Sequence, residues 1–151
     1  MTDYLISNSI PETKKIAITI AKVLQKGDVL LLSGPLGSGK TTLSKYIISE
    51  LTKLDAENIT SPTFNIVKTY KIKFDFSVLH ADLYNLKTMS QVKEIGLLNF
   101  LDNNITLIEW PKLIEDYVGY AYRVHTFVDD NNRQFYIDDQ LRKKINETAN
   151  K

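Results

Sequence analysis

The segment Asp28–Leu43, DVLLLSGPLGSGKTTL, determines how this 151-residue chain is organised. It opens with a short apolar run that ends at Ser33, and such a run is typical of a strand buried on both faces of a parallel sheet. From Thr41 onward, apolar residues recur at helical spacing. These apolar positions are Leu43, Ile47, Leu51 and Leu54. A buried strand and an amphipathic helix are therefore predicted on either side of a glycine-rich loop.

The loop itself, GPLGSGKT at Gly34–Thr41, matches the P-loop pattern G-x-x-x-x-G-K-[ST]. Gly37 and Gly39 allow the backbone to curl so that successive N–H groups point at phosphate oxygens, with the positive end of the following helix behind them. Lys40 can reach the outer phosphates of a nucleotide, and the Thr41 hydroxyl is placed to ligate the accompanying magnesium ion. The context of strand, loop and helix makes this match specific.

The rest of the chain predicts an α/β sandwich. The sequence SIPE at Ser9–Glu12 resembles a capping box that opens a first helix, and TMSQVKEI at 88–95 predicts a shorter one. Strand-like segments lie at 65–74, 76–82, 105–110, 121–128 and 133–137. The last two flank the turn sequence DDNN, so they predict an antiparallel hairpin at one side of a mixed, mostly parallel sheet flanked by helices. Residues 138–151 offer two apolar anchors, which predicts a lightly docked or mobile tail.

Composition limits the possible functions. A chain of 151 residues with 43% hydrophobic content fits one domain, 1–151. With 19 Lys and Arg against 18 Asp and Glu, the net charge of +1 does not predict direct binding to RNA or DNA. There are no cysteines, which excludes disulfides and thiolate metal sites. No signal peptide and no apolar run of membrane-spanning length are found, so we expect a cytoplasmic protein that does not contact membranes.

Two acids are candidates for the metal side of the site. Asp82 and Glu109 each follow a mostly apolar run, FSVLHA and ITLI. Strand ends on the P-loop side of a parallel sheet converge on the ligand, so both carboxylates could lie there. The alternative is that either one is a helix cap or a surface carboxylate. His80, two residues before Asp82, is more often a hydrogen-bonding residue than a catalyst in such a position.

A further unusual segment is ITSPTFNIVKTY, Ile59–Tyr70. Its Ser and Thr hydroxyls flank a proline after the P-loop helix, where P-loop NTPases carry a segment sensitive to the outer phosphate. A turn with capping hydroxyls is the alternative interpretation.

Four segments in this order, GPLGSGKTTL, SPTFNIV, LHADLYNL and LIEWP, resemble the TsaE-type ATPases of bacterial tRNA threonylcarbamoyladenosine biosynthesis. The resemblance runs from about Pro11 to Ile137. It implies a small P-loop ATPase that uses ATP and Mg²⁺ and associates with the TsaD and TsaB proteins. Those proteins transfer the threonylcarbamoyl group to tRNA, and the ATPase is needed for repeated turnover. It would therefore meet tRNA only indirectly, through the complex.

The resemblance also implies roles for individual residues. Thr41 and Glu109 would be magnesium ligands, and Asp82 would be needed for hydrolysis together with Lys40. Thr13 would lie near the base and sugar of the nucleotide, and Arg133 near the nucleotide. The residues assigned to the phosphates are Leu36, Gly37, Ser38, Gly39, Lys40, Thr41 and Thr42.

The chain departs from the family pattern at several positions. The family commonly has Asp where Pro35 stands, Ala at Ser38 and Arg where Asn85 follows DLY. None of these changes removes a predicted phosphate or metal contact. Trp110, in LIEWP, either belongs to the nucleotide or partner surface or packs in the core.

A small-molecule kinase would use the same loop and is the alternative function. Its lid usually brings several arginines onto the transferred phosphate, whereas this chain has only three. A GTPase would need a guanine-reading N-K-x-D segment, which the sequence lacks. A protein in which nucleotide merely orders a docking surface would have the same sequence features as a slow ATPase.

Overall fold

A computed structural model describes residues 4–73 and 76–151 of the chain. Seven strands form one sheet in the order β1-β7-β6-β2-β5-β4-β3. The strands are β1 Tyr4–Ser7, β2 Val29–Ser33, β3 Val67–Lys73, β4 Phe76–Asp82, β5 Ile105–Glu109, β6 Tyr122–Asp129 and β7 Asn132–Ile137. The α-helices are α1 Ile10–Ala21, α2 Lys40–Thr52, α3 Met89–Glu94 and α4 Asp139–Ala149. Short 3-10 helices lie at Ala56–Asn58, Leu97–Asn103, Pro111–Leu113 and Glu115–Tyr117.

The centre of the sheet is parallel and its margins are antiparallel. β2 pairs in parallel with both β5 and β6, and β4 pairs in parallel with β5. The pairs β1–β7, β6–β7 and β3–β4 are antiparallel. Five strands therefore point one way and two, β3 and β7, point the other, which confirms the predicted mixed and mostly parallel sheet.

Two apolar clusters cover the two faces of this sheet. On one face α1 and α2 pack over β2 and its neighbours, with Ile20, Leu30 and Ile47 fully buried. On the other face α3 and the 97–103 helix pack around Leu31 and Ile108. β2 thus contributes alternate leucines to both clusters, as its continuous apolar sequence predicts. Within residues 4–73 and 76–151 no helix combines the length and apolarity needed to cross a membrane.

The predicted helix signals act as local caps. The Ser9 side chain accepts a hydrogen bond from Glu12 N, while the Glu12 carboxylate accepts from Asn8 N rather than from Ser9 N. At α3, Thr88 and Gln91 form a complete capping box. α2 is shorter than its predicted apolar pattern, because it ends at Thr52 and Leu54 lies outside it.

The predicted hairpin is confirmed, but it does not form the margin of the sheet. β6 and β7 pair antiparallel beside β2, and β1 then adds to the outer edge of β7, with Tyr4 opposite Tyr136. β1 was not predicted, since its first three residues are exposed and give no alternating burial pattern. The strand predicted at 65–74 begins at Val67, and Phe74 lies outside the described residues.

The C-terminal segment forms a docked helix, α4. Asp138 caps it by accepting a hydrogen bond from Leu141 N, and a second carboxylate oxygen accepts from Arg123 N on β6. Leu141 is fully buried in the cluster beneath α1 and α2. Lys144 adds an ion pair to Asp28 at 2.8 Å. These contacts tie residues 138–149 to the sheet.

Replacing the buried anchor of α4 should destabilise the protein. We expect Leu141→Ala to lower the free energy of unfolding by about 2–5 kcal/mol, because it removes a buried side chain and leaves a cavity. Urea denaturation measures this change. Leu54→Ala is the matched control: Leu54 is 43% exposed, so its truncation should change stability by about 0.5 kcal/mol or less. Equal effects of the two variants would contradict the docking of α4.

Candidate nucleotide-binding site

The parallel strands bring the predicted residues to one edge of the sheet. The 34–41 loop follows β2, Asp82 ends β4 and Glu109 ends β5. In the sheet register Glu109 lies opposite both Leu32 and Asp82, so the two acids are direct neighbours beside the loop. A cavity of about 360 Å³ lies at this edge. The placement agrees with the expectation that strand ends converge on a ligand.

The cavity is lined by almost all of the predicted site residues. These are Thr13, Leu36, Gly37, Gly39, Lys40, Thr41, Thr42, Asp82, Glu109 and Arg133. Ser38 does not line it, because its side chain is buried and bonded to Thr126. Ile10, Thr63, Tyr84 and Trp110 complete the lining. Trp110, Thr63 and Tyr84 belong to the segments LIEWP, SPTFNIV and LHADLYNL, and Ile10 belongs to the predicted helix cap SIPE, but of the four only Trp110 was predicted at a binding surface.

The 34–41 loop presents an uncapped helix end to the cavity. Gly37 and Gly39 adopt φ of 76° and 105°, a region that favours glycine. Gly39 is the N-cap of α2 and provides no side-chain hydrogen bond, so no side chain at this position satisfies the first N–H groups of the helix. These groups and the positive end of α2 form an anion-binding arrangement.

Lys40 brings a positive charge into this loop. Its Nζ donates hydrogen bonds to the carbonyls of Gly34 at 2.6 Å and Pro35 at 2.8 Å. The same nitrogen lies 4.1 Å from the centre of the Trp110 ring. Burial lowers the pKa of the Lys40 ammonium, while the carboxylates of Glu109 and Asp82 act in the opposite direction. The cation is therefore held in a poorly solvated position next to both acids.

Glu109 is buried and fixed at both oxygens. Its Oε1 accepts a hydrogen bond from the Thr41 hydroxyl at 2.7 Å, and its Oε2 lies 2.6 Å from His80 Nε2. Both Glu109 and His80 are almost completely buried. His80 is thus a hydrogen-bonding residue, and its partner is a predicted metal ligand. The spacing of two between His80 and Asp82 places both on one face of β4, but it does not identify the partner of His80, which is on β5.

Asp82 is held by the chain on either side of it. Its Oδ1 accepts from Tyr84 N at 2.9 Å, and its Oδ2 accepts from the Thr63 hydroxyl at 3.1 Å. The Thr63 hydroxyl is also 2.6 Å from Ser61 Oγ. The SPTF segment, Ser61–Phe64, therefore contacts one of the two acids directly, and it does more than form a turn.

Thr13 and Arg133 line the cavity from α1 and β7. Thr13 is buried at the start of α1, where its hydroxyl lies 2.7 Å from Ser7 Oγ. Arg133, at the start of β7, lies against the loop: a Cβ built on Gly39 would be 3.7 Å from its Cδ. Both residues therefore line the same cavity as the loop.

Trp110 belongs to the cavity wall rather than to the core. Its backbone has φ of 56°, an uncommon value for a residue other than glycine, and its N–H donates to Leu32 O at 3.2 Å. Its ring packs against Tyr84 at 4.8 Å between centroids. The turn after β5 thereby directs an aromatic surface toward the loop.

The donor set fits a hard divalent cation that is shared with phosphates. Among the described residues no cluster of three or more His, Cys, Asp or Glu side chains could hold a metal by itself. The Thr41 hydroxyl and the Glu109 carboxylate provide adjacent oxygen donors, and Asp82 lies next to Glu109. Mg²⁺ is usually held by one or two carboxylates together with substrate phosphates and waters, so this sparse set is appropriate for it.

Together, the fold and the loop define an α/β protein with one mixed sheet and a glycine-rich loop of P-loop sequence between β2 and α2. The family model for "Threonylcarbamoyl adenosine biosynthesis protein TsaE" matches residues 7–136. The chain therefore belongs to the TsaE family, as the four sequence segments predicted.

Similar proteins support this assignment. Proteins named tRNA threonylcarbamoyladenosine biosynthesis protein TsaE are 42% identical over 111 residues in Rickettsia felis and 37% identical over 108 residues in Bacillus subtilis. The alignments cover 74% and 70% of this chain and 64% of each relative. The chain spans less than two thirds of the Rickettsia felis and Rickettsia conorii relatives, 64% and 61%.

A solved structure has the same fold. The crystal structure of YdiB from Bacillus subtilis superposes with a TM-score of 0.72 and 26% sequence identity. The match covers 99% of this chain and 97% of YdiB. The mixed sheet with its flanking helices is therefore the fold of a known protein.

The contact between His80 and Glu109 generates a prediction. His80→Leu should lower the free energy of unfolding by about 1–3 kcal/mol, because it leaves a buried carboxylate oxygen without its donor. His80→Gln should lower the free energy of unfolding by less, since the glutamine amide N–H can replace Nε2–H as the donor to Glu109. Urea denaturation measures both.

Thr106→Val is the control for this experiment. Thr106 is also fully buried, on β5, and its hydroxyl has no hydrogen-bond partner in the described part of the chain. This substitution should leave stability unchanged or raise it slightly. If His80→Leu is as stable as Thr106→Val, the hydrogen bond to Glu109 does not support the fold.

Proposed function

We propose that this protein binds ATP with Mg²⁺ and hydrolyses it to ADP and phosphate in the service of tRNA threonylcarbamoyladenosine modification. The observation that supports this most directly is the cluster of Lys40, Asp82 and Glu109 beside an uncapped, glycine-rich helix start. In this proposal the ATPase acts in the cytoplasm as an accessory protein. It associates with TsaD and TsaB under nucleotide control, and it does not itself transfer the threonylcarbamoyl group.

The loop residues would bind the phosphates. The loop residues Leu36, Gly37, Gly39, Thr41 and Thr42 line the cavity at the positive end of α2, where their N–H groups would bind phosphate oxygens, and Lys40 provides a cation for the outer phosphates. Lys40 would exchange its hydrogen bonds to the carbonyls of Gly34 and Pro35 for phosphate oxygens. Arg133 and Thr13 line the part of the cavity that would receive the rest of the nucleotide.

The two acids would have different tasks. Thr41 and Glu109 would hold Mg²⁺, which supplies charge neutralisation at the phosphates when bound. The orientation of Glu109 is set by its hydrogen bond to His80. Asp82 lies beside Glu109 on the neighbouring strand β4 and contacts the SPTF segment. It is therefore suited to orient the attacking water for hydrolysis.

The rim of the cavity supports a protein partner. Leu36 and Tyr84 line the cavity and are 79% and 51% exposed, and Phe64, which follows the lining residue Thr63, is 94% exposed. Contiguous exposed apolar patches mark interaction surfaces, and we propose that these three side chains form one. The net charge of +1 gives little attraction for nucleic acid, so we propose that the protein meets TsaD and TsaB directly, tRNA only through them, and DNA not at all.

A small-molecule kinase is less consistent with the site. Arg133 is the single arginine among the described residues that line the cavity. Arg123 and Arg142 instead donate hydrogen bonds to the carbonyls of Ala121 and Ile137. The several arginines that a kinase lid brings to the transferred phosphate are therefore not gathered here.

Replacing the two acids one at a time tests their proposed roles. Glu109→Ala should weaken the Mg²⁺ dependence of ATP-analogue binding, because it removes a metal ligand. Asp82→Ala should leave binding within about threefold and reduce turnover by about 10²-fold or more. Isothermal titration calorimetry with and without Mg²⁺, together with phosphate release, measures the contrast. An equal loss of binding in both variants would show that the roles are divided wrongly.

Substitution of an exposed residue at the rim tests whether protein partners stimulate ATP hydrolysis through this surface. ATP hydrolysis by the isolated protein should be slow and should rise when TsaD and TsaB are added. Phe64→Ala should abolish most of that rise and leave the basal rate and the thermal unfolding midpoint unchanged, because the side chain is almost fully exposed. Phe100→Ala is the matched control, since Phe100 is 54% exposed on the 97–103 helix and does not line the cavity. Stimulation that survives Phe64→Ala would exclude this rim as the docking surface.

A further inference from the structure

The 34–41 loop rests on the β6–β7 hairpin at unusually close range. A Cβ built on Gly34 would lie 2.2 Å from Thr126 Oγ1 and 2.3 Å from the Thr126 carbonyl oxygen. Only glycine can approach β6 this closely. At the other end of the loop, a Cβ on Gly39 would lie 3.8 Å from the Phe135 ring on β7. Both strands of the hairpin therefore contact the loop.

The Thr126 hydroxyl connects the two ends of the loop. It donates a hydrogen bond to the carbonyl of Ser33, which immediately precedes the loop, at 3.1 Å. It is also hydrogen-bonded to the hydroxyl of Ser38, near the end of the loop. A hydroxyl has one proton to donate, so Thr126 gives it to Ser33 and accepts the proton of Ser38. Thr126 and Ser38 are both fully buried, so water does not compete for these bonds.

The outer side of the loop has little support of its own. Leu36 is 79% exposed and Pro35 is exposed, and a Cβ on Gly37 would meet nothing within 4 Å. Inside the loop, one backbone hydrogen bond joins Ser38 N to Pro35 O at 3.2 Å, and the Lys40 ammonium donates to the carbonyls of Gly34 and Pro35, two bonds that it would give up to phosphate in the proposed function. A binding loop that must be ordered by its ligand loses affinity, whereas a loop held in shape beforehand does not. The contacts to β6 provide that support.

We propose that Thr126 is a positioning residue for phosphate binding. Its hydroxyl holds Ser33 and Ser38 together and so fixes the curvature that directs the loop N–H groups and the start of α2 into the cavity. Thr126 is not one of the described residues that line the cavity, so it acts only through the loop. The inference rests on the proposed function in one respect, namely that the loop binds nucleotide phosphates.

The test compares variants that remove one hydroxyl at a time. ADP affinity is measured by calorimetry in metal-free buffer, so that the magnesium ligands do not contribute. We expect Thr126→Val, which keeps the shape of the side chain, to weaken ADP binding about tenfold. Ser38→Ala should weaken it about threefold, because the bond from Thr126 to Ser33 remains. The double variant should be no weaker than Thr126→Val, and Thr126→Ser should restore binding.

Two controls separate positioning from general stability. Thr106→Val makes the same substitution at a buried threonine on β5 and should leave ADP affinity unchanged. Thermal unfolding of each variant shows whether affinity follows stability: Thr126→Val that binds ADP like the parent, even with a lower unfolding midpoint, overturns the proposal while nucleotide binding stands. If Thr126→Val does not fold, unchanged ADP affinity in Ser38→Ala overturns it. A parent protein that does not bind ADP overturns both this inference and the proposed function.

Discussion

The parallel alignment of β2, β4 and β5 is the constraint on which the rest of this structure depends. Parallel strands must end at the same edge of a sheet, so the residues that follow them meet whatever their distance in sequence. Here the register places Glu109 opposite Asp82 on one side and Leu32 on the other. A loop that begins two residues after Leu32 therefore arrives beside two acids from segments about 50 and 75 residues further along the chain. The chemistry of the site follows from strand pairing.

Convergence of this kind has a cost, because it buries charges. Lys40, Asp82 and Glu109 are each at most 5% exposed. A buried charge is tolerated when its hydrogen bonds are provided by the protein, and each of the three has two partners. Lys40 has two backbone carbonyls, Glu109 has Thr41 and His80, and Asp82 has Thr63 and Tyr84 N. The supporting residues are thus as much a requirement of the site as the charged ones, and a water-poor environment strengthens every interaction with a bound anion.

These supporting contacts also separate what the sequence could predict from what it could not. The loop, its flanking strand and helix, and the acids at strand ends are local patterns, and they were predicted correctly in position. β1 was not, because its pairing with β7 is a long-range event and its exposed residues leave no burial pattern. The partner of His80 is likewise on another strand. Ser38 could be placed in the loop from sequence, but the direction of its side chain toward Thr126 depends on how closely Gly34 approaches β6.

The SPTF segment has a residue that contacts the site and an exposed aromatic residue next to each other. Thr63 donates a hydrogen bond to Asp82 inside the site, while Phe64, the next residue, is 94% exposed. Ile66, two residues further on, has φ of 66°, which is unfavourable for a β-branched side chain, and its carbonyl accepts a hydrogen bond from Asp82 N at 2.8 Å. The segment is thus anchored to the acid at both ends of a short, strained turn. A rearrangement that moves the Thr63 backbone away from Asp82 also moves Phe64, because the two residues are adjacent in the chain. This coupling is the physical basis on which nucleotide chemistry at Asp82 would control a partner that docks on Phe64.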